Sequence, residues 1–318
     1  MFFPDDVVRG RADPGFFDDS SLCDPDAILD NGFILVSAGY RLLVPTNAHQ
    51  IVEDVKSLHT YLASSDYQAT LPEGVIPDLT KVVVSGFSGG GYVARLLAIE
   101  MTERQARGEA KGVECAGLVS YFGMGGDVFQ DDWVKSDEPG SNSSWEPVKS
   151  LYKAKEISDS PYTPGLKGWE NKEPRDVVWD WHRANGLFVD VLAGTKGEIR
   201  DAWAKEKVGE DEEKERVIER IVPREHHEVI PQLWFGKKEN AKGFPPSIFI
   251  HGTKDDSVPY EETTRTVDQL KRAGNGKVEF VSVPGVDHNL TLPGTDDAPP
   301  ETAEAHAKVV DFIIRQLQ

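Results

Sequence analysis

Three residues at separated points of the chain could together break an acyl bond: Ser88, Asp255 and His288. Ser88 is the centre of Gly86-Phe87-Ser88-Gly89-Gly90, a G-x-S-x-G pentapeptide between the β-branched run Val82-Val83-Val84 and helix-compatible sequence. Strand, glycine turn and helix at this spacing set a serine hydroxyl on a sharp turn at the edge of a sheet, and the glycines let strand and helix approach without Cβ clashes. The amide of Gly89, at the start of that helix, then faces the oxyanion formed when Ser88 attacks a carbonyl.

A serine hydroxyl is a weak nucleophile at neutral pH and needs an imidazole base, which in turn needs a carboxylate to orient it. Asp255 lies in the segment from His251 to Pro259, just after the apolar run Ile248-Phe249-Ile250, and His288 closes Pro284-Gly285-Val286-Asp287-His288 after the run Val278 to Val283. The order is Ser, Asp, His, and each residue follows an expected strand, on the edge where open parallel sheets hold ligands. Asp256 is the fallback carboxylate. His251 ends a strand before the turn, which suits a structural residue rather than the base.

The elements that must carry these residues are written in the apolar pattern. The continuous apolar run Phe33–Ser37 predicts a strand covered on both faces, as in a parallel sheet, Gly117–Phe122 predicts a further buried strand, and Val82–Val84, Ser247–Ile250 and Val278–Val283 predict the others. Spacings of three and four predict helices from Ala48 to about Ser64, after the elbow through Met101, from Tyr260 to about Ala273, and from about Glu301 to Leu317. The fold class expected is α/β, a mostly parallel sheet flanked by helices. From Met124 to Gly243 no buried strand is apparent, and all seven tryptophans fall there. That interval is expected to be an inserted, mainly helical cap, residues 124–243, on a core made of residues 1–123 and 244–318. Gly125-Gly126 reads as a hinge at its start, and the run Glu206 to Arg220 as a solvated, charged helix.

With these motifs in place the chain resembles the α/β-hydrolase superfamily. His251 to Pro259 is similar to its H-G-x-x-D-x-x-V-P acid loop, and Gly285-x-x-His288 to its base loop. The segment Gly32 to Leu42 resembles the strand before the elbow in hormone-sensitive-lipase-type esterases and prolyl-oligopeptidase-like hydrolases, with Gly39 where D-Y-R-L members carry aspartate. The resemblance implies Ser88 as nucleophile, His288 as base, Asp255 as its orienting acid and Gly89 as an oxyanion donor. Relatives of this type also carry an H-G-G-G oxyanion loop, which has no counterpart upstream of Phe33. The fold is therefore expected to lack its first strands and a second oxyanion donor, a loss worth on the order of a hundred- to a thousandfold in rate.

Composition narrows the partners. The 318 residues carry a formal net charge of −19, which argues against a nucleic-acid partner. No apolar run reaches the length of a membrane span and the start lacks a signal-peptide pattern, so a cytoplasmic protein is expected. Cys23 and Cys115 are too few for a disulfide framework and are expected to be buried thiols. Glu225-His226-His227-Glu228 reads as solvated polar sequence rather than a metal site, and no cofactor motif is present. The expected activity is a serine hydrolase cleaving a carboxylic ester of small or medium size through an acyl-enzyme. A peptidase of short peptides and a non-catalytic small-molecule binder are the alternatives.

Overall fold

A single parallel sheet organises the computed structural model, which describes residues 2–3, 28–44, 46–135, 174–206 and 213–318. Its strands are β1 (Phe2–Phe3), β2 (Val82–Phe87), β3 (Cys115–Tyr121), β4 (Ser247–Gly252) and β5 (Val278–Val283), all parallel and in sequential order. Sequential parallel strands need crossovers of one hand, which put the connecting helices on a common face. On that face α1 (Ala48–Leu62) packs against α3 (Ser88–Ala106), α3 covers β2 and β3, and α11 (Tyr260–Arg272) covers β4 and β5. The C-terminal α12 (Pro300–Leu317) returns across the other face and touches β2 through β5.

Side chains alternate across each strand. Val84, Leu118 and Phe249 join a core with α1 and α3, while Val83, Val119, Ile248 and Ile250 join a second core closed by Val309, Phe312 and Ile313 of α12. Burial on both faces explains why β2, β3 and β4 read as mostly apolar runs, while β5 exposes Glu279 and Ser282. Helix α1 starts where Asn47 and Gln50 form a reciprocal capping box, which satisfies amides the first turn leaves open.

The expected strand at Phe33–Ser37 is not part of the sheet. Residues 33–36 have no strand assignment, and a cavity of about 360 Å³ separates this segment from Val82, Val83 and Ser85 of β2. A strand exists only by pairing with a neighbour, and none of the five described strands pairs with this segment. The apolar side chains still pack: Phe33 and Leu35 lie against the α12 core and Val36 against the other. The short helix α2 (Ser65–Thr70) forms part of the same wall through Tyr67.

Between β3 and β4 the described residues form helices and no strand: α4 (Asp131–Val134), α5 (Pro174–Ala184), α6 (Phe188–Ala193), α7 (Glu198–Trp203), α8 (Lys214–Ile221), a 3₁₀ turn at Arg224–Val229, α9 (Pro231–Phe235) and α10 (Lys238–Gly243). Large aromatics hold them to the core. Trp133 is fully buried against Trp179 and Phe188, Trp203 meets Phe129, and Trp234 packs on Phe235 and Phe244. Trp145 and Trp169 lie outside the described residues, as does Cys23; Cys115 is half-buried, and burial pushes its thiol up to about 12. No helix among the described residues is long and apolar enough to cross a membrane.

Two local expectations are corrected. Gly126 is no hinge: its amide and that of Asp127 donate to the buried carboxylate of Glu262, and a Cβ on Gly126 would lie 1.7 Å from Glu262 O. The charged helix is not solvated throughout either. Glu215 of α8 turns inward to Arg265 and Gln269 of α11, while Val217 and Ile218 are fully buried. Charge counting could not show this, because the inward partners lie some fifty residues away on another helix.

Candidate active site

The strand-to-helix turn at Ser88 has the geometry its sequence demands. Ser88 is the first residue of α3 and adopts φ +46°, in the left-handed region that a non-glycine residue enters only under constraint. Gly86 is required because a Cβ there would lie 2.2 Å from Gly90 O, where β2 and α3 cross. A second close approach was not legible in the pentapeptide. A Cβ on Gly91 would lie 2.4 Å from Gly123 Cα, so α3 and the turn after β3 touch backbone to backbone. That contact lets Met124 N donate to Ser88 O at 3.0 Å, and the buried Arg95 guanidinium donates to Met124 O.

The acid and base loops meet beyond β4 and β5. Lys254 N donates to Val286 O at 2.9 Å, and Gly285 N to Thr253 Oγ1 at 2.9 Å. Gly252 permits this approach, since a Cβ there would lie 2.6 Å from both Val286 O and Asp287 O. The base loop is stiffened by Asp287, whose carboxylate accepts from the amides of Asn289 and Thr291 and from the Thr291 hydroxyl.

The three separated residues are brought together. His288 Nε2 lies 3.0 Å from Ser88 Oγ, and His288 Nδ1 lies 2.8 Å from Asp255 Oδ2. With Nδ1–H donating to the carboxylate, Nε2 is left as the acceptor for the serine hydroxyl, the tautomer needed to remove its proton. Asp255 Oδ1 accepts from Ser257 N at 2.9 Å and Val258 N at 2.8 Å. Burial alone would raise the Asp255 pKa. The hydrogen bonds and charges of His251 and His288 outweigh it and hold the carboxyl below the usual carboxylate range. Asp256, the fallback, is exposed and bonds Ser257 Oγ instead. Gly89 is the second residue of α3, so its amide belongs to the first turn, where no intrahelical acceptor exists.

Comparison with known proteins agrees with this architecture. The prolyl oligopeptidase family profile matches residues 208–318, which carry Asp255 and His288. The chlorophyllase profile matches residues 26–114, which carry Ser88. A carboxyl esterase 2 from the mycorrhizal fungus Tuber melanosporum superposes with a TM-score of 0.53 at 12% identity, covering 100% of this chain and 77% of that one. A truncated carbohydrate esterase from gut microbiota superposes with a TM-score of 0.51 at 16% identity, covering 99% and 84%. The chain has the α/β-hydrolase fold. Curated relatives include non-reducing polyketide synthases of Penicillium brasilianum, 26% identical over 278 residues, and of Emericella nidulans, 26% identical over 260 residues; each match covers 78% of this chain and 10% of the relative. The chain therefore spans about a tenth of the length of those synthases.

Within this fold the 124–243 segment reaches the acid loop. Arg183 of α5 donates to Asp256 O at 3.4 Å while its guanidinium lies over the Trp133 ring, 5.7 Å from the centroid. A cavity of about 540 Å³ is lined by Val44, Thr46 and Asn47 and by Trp181, Leu187 and Val191 of the α5–α6 region among others. Ser88, Asp255 and His288 are not among the described residues that line it. Elsewhere, His226 pairs with His49 at 2.9 Å and Glu228 with His49 at 3.1 Å and Lys56 at 3.2 Å. Among the described residues no group of three or more His, Cys, Asp or Glu is arranged to hold a metal ion.

Proposed function

We propose that this chain is a serine hydrolase that cleaves a carboxylic ester through an acyl-enzyme. The observation that carries the reading is the hydrogen-bonded chain from Ser88 Oγ through His288 to Asp255. In the proposed reaction His288 Nε2 takes the Ser88 proton as Oγ attacks the carbonyl carbon, and Asp255 steadies the imidazolium. The oxyanion is held by the Gly89 amide, with the positive end of α3 behind it. Collapse of the tetrahedral intermediate expels the alcohol, which takes the proton from His288. Water, deprotonated by the same imidazole, then releases the acid and regenerates Ser88.

Residues 124–243 are proposed as the cap over this site, a reading supported by the reach of Arg183 to the acid loop. A cap favours a compact ligand over a polymer, hence a small or medium ester.

A second reading rests on the curated relatives, which are polyketide synthases. The same serine would accept an acyl group from a thioester and pass it to water. Hydrolysis of p-nitrophenyl esters from acetyl to octanoyl tests the first reading, and acyl N-acetylcysteamine thioesters test the second. A short-peptide panel tests the peptidase alternative. Turnover lost in Ser88→Ala is expected in whichever panel is active. Turnover retained in that variant would refute both readings.

A further inference from the structure

His251 is fully buried near the end of β4, and each of its ring nitrogens has a partner. Nδ1 lies 2.8 Å from Thr263 Oγ1 of α11. Nε2 is hydrogen-bonded to Val258 O at 3.0 Å and lies 3.0 Å from Asp255 Oδ2. A backbone carbonyl only accepts, so Nε2 carries the hydrogen, and Asp255 Oδ2 takes a share of it. The Thr263 hydroxyl can then donate to Nδ1. Asp255 Oδ2 is also the oxygen that faces His288 Nδ1 at 2.8 Å. One carboxylate oxygen thus stands between two imidazoles, one buried and one at the site.

We infer that His251 is a positioning residue for the proposed reaction, holding Asp255 Oδ2 in place and drawing off part of the charge that this oxygen offers to His288. The inference rests on the serine-hydrolase reading for its kinetic consequence only. Its physical content is a balance. Each N–H donor on a carboxylate oxygen stabilises the anion and lowers its capacity to stabilise a second cation. Removing the buried donor therefore leaves more negative charge facing His288, while the carboxyl loses a restraint on its rotation. A residue that only filled the core would do neither.

Among the described residues the other titratable and charged groups near the pair include Tyr260 of α11, whose ring lies 5.5 Å from that of His251, Lys254 and Asp256 on the acid loop, Asp287 on the base loop, Glu262 of α11, which turns to Gly126 and Asp127, and Arg183 of α5, which bonds Asp256 O. All are unchanged in the variants below, so a shift at His288 reports on His251.

The test is to follow the His288 ring proton by NMR across pH in the wild-type chain, His251→Phe and Thr263→Val, alongside the pH profile of kcat/KM on the best ester. Phenylalanine keeps a ring and removes both nitrogens. Valine keeps the histidine but removes the hydroxyl that fixes its tautomer, and protects the test if the first variant fails to fold. The expected result is an upward move of the His288 midpoint by roughly half to one pH unit in His251→Phe, and a smaller move of the same sign in Thr263→Val. A fall in kcat of about tenfold with KM little changed is also expected. Folded variants whose His288 midpoint matches the wild type would overturn the inference, even if stability and kcat both drop. An inactive wild-type chain would refute the hydrolase reading and leave the NMR comparison standing.

Discussion

The imidazole of His288 lies against the ring of Phe122, with centroids 4.5 Å apart and planes inclined by 58°. Phe122 itself holds φ +37°, and its amide donates to Ile250 O at 2.6 Å where β3 gives way to the following turn. A phenylalanine in the left-handed region is costly, and the surrounding packing must over-determine it. The buried ring packs against His288. Phe122→Ala is expected to destabilise the fold by about 3 kcal/mol, the cost of removing a buried aromatic. Its kcat should fall more than its KM rises. Urea unfolding with steady-state kinetics checks both, and an unchanged kcat would remove Phe122 from the account of how the base is placed.

Gly86 and Gly91 make the elbow possible through backbone approaches that no side chain fits. Gly91→Ala would force α3 away from Gly123 and loosen the Met124 amide from Ser88 O. We expect a loss of about 1–3 kcal/mol, read by denaturant midpoint, and a larger proportional loss of serine reactivity. Gly108→Ala is the control, since nothing lies within 4 Å of its Cβ position, although its φ of +71° adds a cost of order 1 kcal/mol.

Acid should weaken this protein partly through Asp255. Its folded pKa lies below the unfolded one, so the group contributes stability that is complete above the ordinary carboxylate pKa, near 4, and is lost as pH falls towards the folded value. Asp255→Asn is expected to flatten the decline in thermal midpoint between about pH 5 and pH 2. It should also lower kcat by roughly a thousandfold or more, because an amide can present its NH₂ to His288 and favour the wrong tautomer. An acid limb as steep as wild type would show that other carboxylates dominate.

A buried carboxylate anchors the start of the 124–243 segment. Glu262 of α11 is buried and accepts from the amides of Gly126 and Asp127 and from Trp133 Nε1 at 2.7 Å. Glu262→Leu leaves three buried donors without a partner, at about 1–3 kcal/mol each before relaxation. We expect a fall in thermal midpoint and a change in tryptophan emission as Trp133 loses its acceptor. Glu262→Gln keeps an oxygen acceptor and should lose less than half as much.

The elbow and the acid and base loops were legible because each is a local statement: an apolar run ends, glycines follow, and one polar residue sits at the turn. Strands β2, β3 and β4 were legible because burial on both faces keeps their runs mostly apolar, and β5 because its apolar residues lie between expected turns although Glu279 and Ser282 are exposed. Phe33–Ser37 shows the limit. Its residues are as apolar as those of β2, yet they pair with none of the five described strands, because pairing depends on the neighbouring edge and not on the run itself. The Gly91–Gly123 approach, the Glu262 anchor and the Thr263 partner of His251 were equally out of reach, each joining residues from different elements. Doubled glycine drew attention to Gly125 and Gly126, where the physical signal was a carboxylate 136 residues away.

The central claim is that Ser88 is made nucleophilic by His288 and Asp255. The most direct measurement is reaction of the purified 318-residue chain with a fluorophosphonate, read by intact mass, beside Ser88→Ala, His288→Ala and Asp255→Asn. One adduct per chain is expected in the wild type, none in Ser88→Ala or His288→Ala over the same interval, and slow labelling in Asp255→Asn. A folded wild-type chain that takes no label, or a label that persists in Ser88→Ala, would contradict the account.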